Sequence, residues 1–63
     1  MDIKWAAQNI GMRVQSHPAT DAWIMGDRYG EIVKVGRTKI HVKMDRSGRT
    51  LRFSPEYVEQ IDL

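Results

Sequence analysis

The sequence predicts a mainly β domain: a small five-stranded barrel with a short N-terminal helix and one helical turn before the last strand. Three observations carry this expectation. Residues Thr38 to Met44 alternate apolar and polar without a fault, the period of a half-buried strand. The preceding run, Tyr29 to Val35, is rich in β-branched residues and ends at Gly36 and Arg37, a short turn that makes the two runs a hairpin. A chain of 63 residues without cysteine, 41% hydrophobic, holds material for one core.

The elements follow in chain order. Residues 1–10 form a short helix or arm: Asp2 caps it, Ile3, Ala6, Ala7 and Ile10 share a face, and Gly11 stands where a C-terminal glycine belongs. So short a helix is marginal alone in water, so Trp5 and Ile10 are expected to dock on the barrel or on a second chain. The barrel occupies residues 11–63, and its first strand, Gly11 to Ser16, places Met12 and Val14 against Arg13 and Gln15. A long loop follows from His17 and Pro18, with Ala22 to Met25 as a short extended piece before a turn at Gly26 and Asp27.

In the hairpin, Thr38, Ile40, Val42 and Met44 face the core while Arg37, Lys39, His41 and Lys43 face outward. Asp45 to Gly48 is the next turn, with Gly48 free to adopt a positive φ. Leu51 and Phe53 point inward from the fourth strand, Thr50 and Arg52 outward. Ser54 and Pro55 then read as a cap and first position of a single helical turn carrying Tyr57, a core residue, before a closing strand over residues 59–63.

Net charge is only +2, but it is unevenly placed. Between Arg28 and Arg52 lie eight of the ten basic residues against Glu31 and Asp45 alone, a local charge of +6 that leaves −4 on the remainder. No apolar run approaches the length of a signal peptide or a membrane span, so the expected location is the cytoplasm, with no membrane partner.

From Gly11 to Leu63 the order of strand, long loop, three-strand meander, helical turn and closing strand resembles the SH3-like barrel superfamily. Gly11 to Val14 together with Gly30 to Ile32 is similar to the KOW motif, a member of that KOW and Tudor-like group, and Phe53 to Val58 is similar to the helical turn of signalling SH3 domains. Gly26 to Arg28 and Val58 to Ile61 resemble small SH3-like dihydrofolate reductases that assemble one active site per tetramer, which makes an oligomeric reductase a remote alternative. The residues that hold folate and nicotinamide there are not matched at Leu51 to Ser54, so no catalytic residue and no cofactor is carried over. The superfamily implies binding of RNA, DNA or peptides.

Two functions of different class remain. In the first, a non-catalytic module contacts RNA or DNA through a basic hairpin face made of Lys34, Arg37, Lys39, His41, Lys43, Arg46, Arg49 and Arg52, with Trp23 or Tyr29 stacking on bases. In the second, Trp5, Ile10, Trp23 and Met25 form an apolar patch for a protein partner or for self-association, as would suit a phage or plasmid accessory protein. His17 and His41 are isolated, and Ser16, Ser47 and Ser54 stand at turns or caps, so neither a metal site nor a catalytic group is expected.

Overall fold

Alternation along the chain becomes one antiparallel sheet in the computed structural model, which describes residues 1–61. Its strands are β1 (Arg13–Ser16), β2 (Tyr29–Val35), β3 (Ile40–Met44), β4 (Thr50–Phe53) and β5 (Val58–Gln60), in the order β4-β3-β2-β1-β5. The expected closing strand is reached at Val58, and its last two residues, 62 and 63, lie outside the described residues. No helix among the described residues is long and apolar enough to cross a membrane.

The sheet has to curl. Strands β4 and β5 stand at its two ends, four spacings of about 4.8 Å apart if the sheet were flat, or about 19 Å. They are joined only through Ser54 and a 3₁₀ turn over Pro55–Tyr57, three residues rising about 6 Å. The inward face therefore wraps a single core of Val14, Ile32, Ile40, Val42, Met44, Phe53 and Val58.

Helix α1 (Ile3–Ala7) adds Ala6 to that core, and Ile3, Trp5 and Met1 pack beside it. Asp2 caps the helix by accepting from the Lys4 amide, as the sequence suggests. The apolar face is narrower than Ile3, Ala6, Ala7 and Ile10 together: Ala7 is exposed and Ile10 is 53% exposed, because the helix ends at Ala7 and the chain then turns toward Gly11. Gly11 has φ +95 and donates its amide to Ile32.

Five further expectations are corrected. Residues Asp21–Ile24 are not extended but form a one-turn helix, α2, because the Thr20 hydroxyl accepts from the Trp23 amide and stops the chain from pairing with a strand. Ser16 is not at a turn: it is buried in β1, where its hydroxyl donates to the Asp27 carbonyl at 2.9 Å. Thr38 is exposed, since the turn between β2 and β3 extends to residue 39 and inward alternation begins only at Ile40. Ser54 makes no side-chain cap, and its hydroxyl instead accepts from Lys39 Nζ at 2.7 Å. Tyr57 is 43% exposed and meets the His17 ring edge-on, because a single 3₁₀ turn points only Val58 inward.

One irregularity in β2 matters for the surface. Ile32 pairs with Val42 and Lys34 with His41, so Val33 is an extra residue, a β-bulge. Regular alternation from Ile32 would have turned Lys34 into the core and Val35 out of it. The bulge keeps Ile32 buried, returns Val35 to the inner side opposite Ile40, and leaves Lys34 in solvent.

Candidate functional site

The outward face of the sheet is crossed by two rows of charged side chains, each fixed by strand register. In the first, Arg13 of β1 pairs with Glu31 of β2, Glu31 with Lys43 of β3, and Lys43 with Thr50 of β4. Charges in this row alternate in sign, and Arg13 also forks onto Asp45, one of its two bonds measuring 2.9 Å. Those bonds from Arg13 hold the Asp45 carboxyl below the usual carboxylate range, and the carboxylate in turn raises the guanidinium pKa.

The second row contains Lys34 of β2, His41 of β3 and Arg52 of β4. None of the three makes an ion pair among the described residues. Lys34 and Arg52 flank His41 across the ladder, and no acidic residue stands among the three to offset their charge. The arrangement is suited to an anion with several negative groups in line.

The rest of the predicted basic face is dispersed. Arg37 is exposed at the β2–β3 turn beside the second row, while Lys39 is engaged by Ser54. Lys43 lies in the alternating row, next to Glu31. Arg46 and Arg49 belong to the opposite end of the hairpin. The Arg46 guanidinium covers Gly26, where a Cβ would overlap it, and Arg49 approaches the buried Asp27 carboxylate at 3.8 Å. The expected continuous basic face is thus one row of three with Arg37 and Lys43 beside it, and a separate arginine group around residues 26–27.

Neither expected stacking residue stands on the basic row. Tyr29 is half-exposed on the outward face, but at the start of β2, opposite Gln15, whose own neighbour is Glu59. Trp23 is half-buried on α2, and Arg28 lies over its ring at 4.5 Å from the centroid, with Nε donating to the Trp23 carbonyl at 3.4 Å. A spacing of five residues suggests no such contact in the sequence. It arises because Gly26, at φ +94, reverses the chain and brings Arg28 back onto α2.

The apolar residues expected at a protein interface do not meet in one patch by any described contact. Trp5 packs against the core and, with Met1, Asp2, Val58, Glu59 and Gln60, walls an open cleft of about 450 Å³ along β5. Ile10 is exposed after α1, whereas Met25 is exposed at the C-terminal cap of α2 next to Ile24, which is 74% exposed and which the sequence did not single out. Among the described residues no three histidine, cysteine or acidic side chains converge as metal ligands. No family model, curated protein or solved structure matches this chain.

Proposed function

We propose that this domain is a non-catalytic module that binds nucleic acid through the outward face of β2, β3 and β4. Phosphates lie on Lys34, His41 and Arg52, with Arg37 and Lys43 at the margins. The single observation that carries the reading is the line of Lys34, His41 and Arg52, which makes no ion pair among the described residues and whose Lys34 is kept in solvent by the bulge at Val33. The strand order and the 3₁₀ turn before β5 support placing the fold among SH3-like barrels, whose members include RNA- and DNA-binding domains.

The test is a titration of short oligonucleotides at two salt concentrations. Phosphates neutralised by Lys34 and Arg52 correspond to a loss of about 7- to 12-fold in affinity for a fourfold rise in salt. Lys34→Ala with Arg52→Ala is expected to weaken binding and flatten that slope. Absence of binding at low salt, or binding indifferent to salt, overturns the reading.

A second reading, contact with a protein or another copy of the chain, is favoured by the exposure of Ile24 and Met25 side by side. Mass in solution over a range of concentrations checks self-association. A dimer that Ile24→Ser and Met25→Ser dissociate supports it, and a monomer throughout removes the self-association form.

A further inference from the structure

We infer that Arg28, lying over the Trp23 ring, is a platform for an unpaired base, so that the partner of the Lys34, His41 and Arg52 row is a single strand. The inference rests on the proposed nucleic-acid binding and adds the class of strand and a second contact site.

The platform is built in place before any ligand arrives. The Thr20 hydroxyl holds the Trp23 amide, the Met25 amide donates to Asp21 and the Asp27 amide to Ala22, so the backbone on both sides of Trp23 is fixed. Arg28 is held on the indole both by its position over the ring and by its bond to the Trp23 carbonyl. The guanidinium carbon thus stands 4.5 Å from the centre of the indole on a residue that is otherwise exposed. A planar cation with a free face is what a nucleobase stacks on, and only an unpaired, splayed base offers its own face.

The surroundings suit a nucleotide. Arg46 lies over Gly26 and Arg49 approaches Asp27, so three guanidinium groups gather around residues 26–28, with Asp27 as the acid among them. Arg28 directly precedes β2, and Lys34 lies six residues further along it, about 20 Å at the rise of a strand.

The experiment titrates the full chain with a fluorescent oligothymidylate of about twelve nucleotides and with a blunt duplex of similar length, for wild type, Arg28→Lys, and Lys34→Ala with Arg52→Ala. Arg28→Lys retains the charge and removes the planar stack. Expected are tighter binding of the single strand by wild type, a loss of about tenfold for Arg28→Lys on the single strand alone, and weaker binding of both probes by the double variant. Thermal melting checks that each variant is folded. If Arg28→Lys binds the single strand as wild type does, or if wild type prefers the duplex, the platform is overturned while the row reading stands. If folded wild type binds neither probe, both fall together.

Discussion

The two rows on the outward face overlap on β2, β3 and β4, with the first reaching back to β1, and they differ most at their centres, Glu31 of β2 and His41 of β3. Where the first places Glu31 between Arg13 and Lys43, the second places His41 between Lys34 and Arg52. The first pattern satisfies the sheet, since every cation has an acid beside it and Asp45 adds a fork to Arg13. The second has no acid across the strands and leaves Lys34, His41 and Arg52 without an ion pair among the described residues. A surface shaped only for stability and solubility has no need of that difference, and the unfavoured row is the better candidate for a ligand.

The largest expected effect comes from removing the support of both rows. Gly30 faces β3 so closely that a Cβ would overlap the Lys43 carbonyl and the Val42 side chain. Gly30→Ala is expected to lower stability by about 3 kcal/mol, measured by urea unfolding, because backbone must move to admit the methyl group. For a chain of this length, with about 3–9 kcal/mol in total, that is a large fraction.

Next comes a substitution that converts one row into the other. His41→Glu gives the second row the sign pattern of the first, so nucleic-acid affinity is expected to fall at least about tenfold while stability rises by about 0.2–1 kcal/mol. Opposed changes in melting and binding are the signature. If binding persists unchanged, the row is not the contact surface.

Deletion of Val33 tests the bulge. A regular ladder without it pairs Ile32 with Val42, Lys34 with His41 and Val35 with Ile40, the same facing as before. The shortened chain is expected to fold within about 1 kcal/mol of wild type and to keep Lys34 outward, checked by urea unfolding and oligonucleotide titration. Loss of the fold would show that the bulge shapes the curl of the sheet as well as its facing.

The smallest effect belongs to the satisfied row. Asp45→Asn removes the fork to Arg13, an exposed pair worth roughly 0.2–1 kcal/mol. Because the folded-state pKa of Asp45 is lowered, this contribution is present above the unfolded value near 4 and disappears as pH falls through the lower folded value. Unfolding curves of wild type and Asp45→Asn should therefore differ slightly at pH 7 and converge in strong acid.

Much of the sheet was legible because alternation is a local property. Ile40, Val42, Met44, Leu51 and Phe53 face inward as their spacing implies, and Gly48 adopts φ +73 in the turn where it was expected. The reading failed where a distant partner decides the outcome. Ser16 looks like a turn residue until the Asp27 carbonyl comes to meet it, and Tyr57 looks like core until a single 3₁₀ turn leaves its ring outside. The bulge was illegible because either facing of Val33 and Lys34 satisfies β propensity, and only burial of both Ile32 and Val35 selects one.

The candidate site divides in the same way. The order of residues alone determined that residues 28–52 are strongly basic and that the chain builds one mainly β core, because local charge counts and periodicity do not depend on the fold. Which cations stand together was decided by tertiary structure. Register across β2, β3 and β4 brings Lys34, His41 and Arg52 into one line, and the reversal at Gly26 sets Arg28 on Trp23, while Lys39, Arg46 and Arg49 are drawn to other partners. Side-chain neighbours across a sheet are set by strand pairing, and that pairing is written in the closure of the whole core and not in any one segment.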